Sequence, residues 1–404
     1  MRLLFLAPRV PWPADTGGKI RTVNILKQMT KFAQIHLACF SFEENDPGHA
    51  KELKKLGIAV TLVPAQDPGM IPKAAGIMLN PIPWSVAKYY SKNMERVLKS
   101  LHQTHPFDAV HTDHAHMAQY SHCFNNRPCI IDEHNVEYKI LERCAEVEKN
   151  LLKKIIYATQ ADKMKNFETR QIRMCSRYLA VSDDDLRLLD ELAGTQKKGR
   201  GHVIPNGVDV DFFQGSNAPP SGSEDALAFT GSLDWLPNDD AVVFFCREVL
   251  PLIWQQNTSV KFYIVGKNPS ATVKKLAQKD PRIVVTGRVD DVRTYIQRAK
   301  VFVVPIRVGG GTRLKILEAM SMRKAVVSTT VGAEGIACTR DVDIVLGDTP
   351  QAFAQKVIVL LKDQQKRETL GTAARKLVLE NYDWRVIGKK LNQIYEDITN
   401  ARQQ

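Results

Sequence analysis

Long hydrophobic runs are missing from this sequence. No window of 18 residues is apolar throughout, so no transmembrane helix is expected. The opening "MRLLFLAPRVPWP" holds a five-residue apolar run before Pro8 and Arg9, too short for a signal peptide, and a cytoplasmic protein is expected. Cysteine is sparse and unpatterned. The seven residues (Cys39, Cys123, Cys129, Cys144, Cys175, Cys246 and Cys338) are odd in number and show no metal-like spacing, so they read as reduced, buried thiols. The glycine-rich segments contain neither the Walker A signature GK[ST] nor GxGxxG.

What is present is the composition of an ordinary globular protein: 44% apolar, 25% charged and 7% aromatic residues. A length of 404 residues suggests two domains, each able to bury its own core. The balance is basic, with 56 Lys and Arg against 44 Asp and Glu, a formal charge of +12. That suits an anionic ligand, a nucleic acid or an anionic membrane face without choosing among them. The stretch 149–177 carries eight cations and two anions at helical spacing. It reads first as a solvated helix face and second as peripheral contact with phospholipid headgroups or a lipid-linked substrate.

Short β-rich runs alternate with helical patterns in both halves. "RLLFLAP", "IHLACF", "VTLVPA", "DAVHTD", "CIIDEH" and "YLAVS" are followed by "ALAFTGS", "VKFYIVG", "RIVVTG", "VFVVPI", "AVVST" and "DIVLG". Such alternation predicts α/β architecture with two doubly wound parallel sheets. The segment 212–225, "FFQGSNAPPSGSED", is dense in Gly, Pro and Ser and reads as the linker. Ligands of open α/β sheets bind at the carboxyl ends of strands, so the site is expected in an interdomain cleft.

"RVGGGTRLKILEAM", 307–320, joins a buried strand to a helix through glycines. A helix N-terminus with free amides holds an anion, and glycine lets the backbone approach it closely. Gly311, Lys315 and Glu318 are spaced to share one helix face. A carboxylate there can accept hydrogen bonds from a ribose diol, while Arg313 and Lys315 can offset phosphate charge. A plainer reading is a buried turn with Lys315 and Glu318 in a local ion pair. In the first half, Gly17 and Gly18 of "PWPADTGGKIRTVNIL" form a similar bend, with Lys19 and Arg21 nearby. "VHTDHAHMAQY", 110–120, places three histidines and Asp113 at a strand end, with no third metal ligand at sensible spacing. "DEHNVEY" adds Glu133, His134, Asn135 and Glu137, suited to hydroxyl recognition or to capping a helix. The "DVD" of Asp209–Asp211 follows a turn and reads as structural; no metal or other cofactor is expected.

Several motifs carry a family resemblance. "GRVDDVRTYIQRAKVFVVPIRVGGGTRLKILEAMSMRKAVVSTTVGAEGI" resembles the donor-binding half of group-1 (family 4) glycosyltransferases of GT-B fold. "VIPNGVDVDFF" is similar to their hinge-proximal signature, and "NYDWRVIGKKLNQIYEDI" to their final helix. "FTGSLDWLPNDDAV" narrows the likeness to a bacterial subgroup with members in exopolysaccharide gene clusters. The resemblance implies an acceptor-side domain 1–215, a nucleotide-sugar domain 216–382 and a helix 383–404 returning to the first domain.

It also implies roles. Glu318 matches the ribose-binding glutamate, and Arg288 with Val289 match the segment meeting the base. Gly309, Gly310, Gly311 and Thr312 match the loop at the donor's sugar and phosphates. Gly17 and Gly18 match a loop touching donor phosphate and acceptor, and His114 or His116 matches the group contacting the donor sugar. Lys19, Arg21, Glu133, His134, Asn135 and Glu137 fall on the acceptor side.

Two departures stand out. Many members carry a glutamate where this chain has Gly310, and an arginine and a lysine where it has Ser232 and Pro237–Asn238. Arg313 and Lys315 are the nearest cations to replace the latter. The implied reaction is transfer of a sugar from a nucleotide sugar, UDP-linked before GDP-linked, to a saccharide or lipid-linked saccharide hydroxyl. Retention, no metal, no nucleic-acid partner and a place in surface polysaccharide synthesis are expected. A nucleotide-sugar 2-epimerase and a non-catalytic binding protein are the alternatives.

Overall fold

Strand β1 (Arg2–Ala7) is buried at every position after the first, the signature of a strand covered on both faces. The computed structural model describes residues 1–65, 80–124, 127–148, 150–195, 199–215, 224–309 and 311–400. Residue 310 and residues 216–223 of the expected linker lie outside them. The chain divides into two units: Met1–Pro205 with Ile387–Gln404, and Asn206–Val386.

In the first unit β2 (Gln34–Ser41), β3 (Ala59–Pro64), β4 (Ala109–Asp113), β5 (Cys129–Asp132), β6 (Arg177–Ala180) and β7 (Gly201–Val203) join β1 in the order β3-β2-β1-β4-β5-β6-β7. All pairings are parallel. Leu3 pairs with Ile35 on one side and with Ala109 on the other. The order therefore reverses between β1 and β4, and loops leaving that point diverge to opposite faces. Sequence patterning missed only β7 in this sheet, a three-residue strand with no fully buried position.

The second unit repeats the plan with β8 (Ala226–Thr230), β9 (Lys261–Val265), β10 (Ile283–Gly287), β11 (Val301–Val304), β12 (Ala325–Ser328) and β13 (Val345–Leu346). Their order is β10-β9-β8-β11-β12-β13, again parallel and reversing between β8 and β11. One continuous core packs Phe229, Phe245, Phe262, Phe302 and Phe353 between sheet and helices. Pro350 follows the N-cap Thr349, whose hydroxyl takes the Ala352 N–H, a start signal readable in the sequence.

The last helix, Trp384–Asn400, begins in the second unit and ends in the first. Its buried Tyr395 meets His111 Nδ1 through the phenol at 2.7 Å, and Thr399 donates to the Met1 sulfur at 3.5 Å. Among the described residues, no helix is long and apolar enough to cross a membrane.

Candidate active site

The loops that leave β1 and β4 meet at the reversal point of the first sheet. After β1 the chain enters the helix Gly17–Met29, whose first residues are exposed, so its amides face outward. Gly18 faces the neighbouring strand end, where an added Cβ would lie 3.8 Å from His134 Nδ1, an ordinary contact distance. Thr22, one turn on, donates to Asp113 Oδ2 at 2.9 Å. His134 Nε2 stands 2.8 Å from the other oxygen, Asp113 Oδ1. The Asp113 carboxylate is thus held by two elements and placed beside a third residue, His114, whose Nδ1 is 3.4 Å away.

His114 has φ 71° and ψ 149°, a conformation ordinarily left to glycine. Its own N–H donates to Asp132 O at 2.9 Å, and its ring lies 3.8 Å from that of His134. Strain of this kind costs about 1–3 kcal/mol and persists where surrounding structure imposes it, commonly at functional sites. Burial works against charge on His114, but Asp113 beside it prevails and raises its pKa. Burial and the His114 charge lower that of His134, while the two imidazoles hold Asp113 well below the usual carboxylate range against its burial. His116 lies 6.3 Å from His114, ring to ring, and burial, then His114 and Lys88, push it down to about 3.

Around these groups is a pocket of about 330 Å³ whose walls include Lys19, Asp113, His114 and His116. His114 and His116 therefore share one cavity.

Two of the acceptor-side residues read from sequence are corrected. Arg21 is 1% exposed; it donates to Asp132 Oδ1 at 2.6 Å and to Pro205 O at 3.1 Å, a buried ion pair that braces the sheet rather than a group offered to a ligand. Glu133 is also buried, accepting the Ala115 N–H at 3.2 Å, and burial together with Glu168 raises its pKa well above normal. Glu137 begins the helix Glu137–Val147, whose first N–H groups donate to Glu168, and Asn135 is half-buried beside it.

Spacing alone offered no third metal ligand beside the histidines. Folding supplies one, because Asp113, His114 and His134 bring ligand atoms within 4.8 Å of one another. Both Asp113 oxygens already accept bonds from Thr22 and His134, so a cation would compete with them. Glu43, Asp46 and His49 form a second such group, in which Asp46 caps the Phe42 and Glu43 N–H groups. Asp209 accepts the N–H groups of Asp211 and Phe212, as a turn-forming aspartate does.

In the second unit the loop after β11 leads to the helix Leu314–Ser321. Gly309 (φ 121°) and Gly311 (φ 77°) adopt left-handed backbone, which accounts for glycine at both; Gly310 lies outside the described residues. Ile316, Leu317, Ala319 and Met320 are buried, leaving Lys315 and Glu318 on the other face. The Lys315–Glu318 ion pair of the plainer reading does not occur among the described residues. Lys315 Nζ instead donates to Asn238 Oδ1 at 2.8 Å and lies 3.9 Å over the Phe229 ring.

Asn238, in turn, donates to Ser232 O at 2.7 Å. Ser232 and Asn238, the positions where the family's cations are absent, therefore hold a lysine that arrives from another helix. Gly231 (φ 152°) completes this seat, since a Cβ there would come 2.6 Å from Lys315 Nζ. Sequence reasoning missed Gly231 and Asn238 as site residues; the only signal was Asn238's departure from the family pattern.

Arg313 precedes the helix and donates to Gly311 O at 2.6 Å, curling over the glycine bend. The Thr312 hydroxyl is buried with no hydrogen-bond partner among the described residues. Burial, then Arg313, lowers Lys315 to about 7, and burial raises Glu318 to about 7. Arg288 is exposed and Val289 half-buried, just past the carboxyl end of β10. This geometry offers an anion a helix tip, a guanidinium and an ammonium, with a carboxylate one to two turns away.

Comparison with known proteins agrees with both halves. Residues 224–363 match the family described as "Glycosyl transferases group 1", and residues 49–212 match "Glycosyltransferase Family 4". An uncharacterized 44.6 kDa protein in the cps region of Klebsiella pneumoniae is 21% identical, over 95% of this chain and 96% of that protein. The phosphatidyl-myo-inositol mannosyltransferase of Mycobacterium bovis is 27% identical, over 55% of this chain and 60% of that enzyme. Among solved structures, Anabaena HepE in complex with UDP and glucose superimposes with TM-score 0.68 at 16% identity, covering 98% of this chain and 99% of that one. Sucrose-phosphate synthase from Thermosynechococcus elongatus gives 0.73 at 15%, covering 99% and 100%. With two parallel doubly wound sheets and family matches along both halves, the chain belongs to the group-1, family 4 glycosyltransferases and is an enzyme of GT-B fold.

Proposed function

We propose that the enzyme moves a sugar from a UDP-sugar to a hydroxyl of a saccharide or lipid-linked saccharide in bacterial surface polysaccharide synthesis. The observation that carries the donor half is the seating of Lys315 on Asn238 beside the Gly309–Arg313 bend. Departure of the sugar leaves negative charge on the nucleoside diphosphate. Helix-end amides, Arg313 and Lys315 stabilise that charge in place, while Glu318 accepts the ribose hydroxyls. No metal is required in this scheme, because two cations and a dipole do its work. His114, held by Asp113, is the group offered to the transferred sugar. Retention at the anomeric carbon follows the family expectation.

The nucleotide has one rival. HepE structures carry UDP or UDP-glucose, whereas a Corynebacterium glutamicum relative is a GDP-mannose-dependent mannosyltransferase. The cps-region relative supports the polysaccharide setting. The test is release of UDP or GDP from a panel of donors, with saccharide acceptors present and absent, in the parent and in Arg313→Ala. Acceptor-dependent release, about 10²–10³-fold slower in the variant, is the expected result, on the scale of losing one charge-stabilising donor. Kinetics within a few-fold of the parent would reject Arg313's role, and release of neither nucleotide would reject the transfer itself.

A further inference from the structure

The first-unit pocket holds more positive charge than hydroxyl recognition requires. Arg9 and Lys88 line it together with Lys19. Arg9 donates to the Tyr89 phenol at 3.3 Å, and Lys88 Nζ lies 5.6 Å from the same ring, so Tyr89 holds both cations without neutralising either. Among the described residues, neither makes an ion pair. The one carboxylate of the pocket, Asp113, is engaged by Thr22 and His134, and Lys19 meets only the exposed Asp15 at 3.5 Å.

Two further features point to a ligand. His116, 8% exposed, lines the pocket with an imidazole that makes no hydrogen bond among the described residues. An imidazole lining the cavity can exchange a hydrogen bond with a hydroxyl. Trp84, 51% exposed, presents an apolar face at the rim; its backbone N–H donates to Gln160 Oε1 at 3.0 Å, which ties the main chain of the rim to the helix Leu151–Met174. An indole of this kind suits the face of a sugar ring.

Resting on the transfer reading above, we infer that the acceptor is a phosphate-bearing saccharide, its anion between Arg9 and Lys88 and its ring between Trp84 and His116. Phosphate is favoured over a carboxylate because a guanidinium fork and a nearby ammonium match an anion with three or more oxygens. A free sugar phosphate and a lipid-linked sugar diphosphate both present this chemistry.

The test is calorimetric titration of the full chain, saturated with UDP, with three probes: glucose 1-phosphate, an octyl diphosphate-linked glucose and octyl glucoside. The two phosphorylated probes are expected to bind at least about tenfold more tightly than the glucoside, the scale of one charge-assisted contact. A clear preference for the octyl diphosphate compound identifies the lipid-linked source, and equal binding the free sugar phosphate. The preference should vanish in Arg9→Gln and in the charge reversal Lys88→Glu, with UDP affinity retained; two exposed positions make loss of folding in both an unneeded explanation. Equal binding of the uncharged glucoside, or displacement of the phosphorylated probes by UDP, would overturn the inference. If UDP itself fails to bind, the donor reading falls, and the same titration without UDP still decides the pocket's preference.

Discussion

Lys315 and Glu318 sit on one helix face with shifted pKa values that meet at about 7, each moved by burial. In the proposed scheme donor binding needs the lysine charged and the carboxylate ionised, so kcat/KM for the donor should trace a bell centred near neutrality. Below it Glu318 takes a proton and ceases to accept from the ribose; above it Lys315 loses the charge that faces the diphosphate. Lys315→Arg should extend the alkaline limb, because guanidinium stays protonated; a pH–rate profile with that limb unchanged would remove Lys315 from the mechanism. A second residue-scale prediction concerns stability. Arg21 and Asp132 are 1% and 0% exposed, and although burial opposes it, Arg21 holds Asp132 well below its ordinary pKa. Asp132→Asn leaves the guanidinium buried without its counter-charge and should cost about 3–5 kcal/mol in urea unfolding at pH 7. The parent's advantage, present above about pH 4, should fade as the pH falls toward the depressed value. Identical unfolding curves would show the pair to be idle. This pair was invisible in the sequence: 111 residues separate its members, and an arginine beside a glycine bend reads as ligand-facing until the sheet places Asp132 against it.

Patterning located the elements because buried parallel strands write themselves as continuous apolar runs, and every such run became a strand. It could not see β7, whose three residues are only half-buried. Nor could it see that His134, just past the end of β5, would partner Asp113 at the end of β4, since pairing between strands is not encoded in local spacing. The basic stretch 149–177 became mostly the helix Leu151–Met174, and its exposed first turn carries apolar side chains as well as the charges read from sequence. Leu151 and Leu152 are 72% and 68% exposed beside the exposed Lys153 and Lys154. Apolar side chains flanked by lysines suit the interface of an anionic bilayer. Co-sedimentation with phosphatidylglycerol vesicles should show binding that weakens with salt and falls about tenfold or more in Leu151→Glu with Leu152→Glu. Equal sedimentation of parent and variant would assign this turn to some other contact.

At the scale of the whole molecule, two sheets of the same plan each reverse strand order once, and each reversal carries one set of candidate groups. Duplication of the plan explains why the fold was legible from alternation alone, while the division of labour was not. Glycine bends occur at both points, but only the second sheet seats a lysine on Asn238, and only the first strains a histidine against an aspartate. The metal question also belongs here, since Asp113, His114 and His134 converge closely enough to hold an ion. Turnover unchanged by EDTA is expected, and activity lost to EDTA and restored by Mn²⁺ would contradict the metal-free scheme. The most direct test of the donor assignment is a crystal structure of the full chain with UDP bound. The expected electron density places the diphosphate against Gly309, Gly311 and Arg313 with the ribose hydroxyls on Glu318; a diphosphate bound away from residues 309–315 would contradict it.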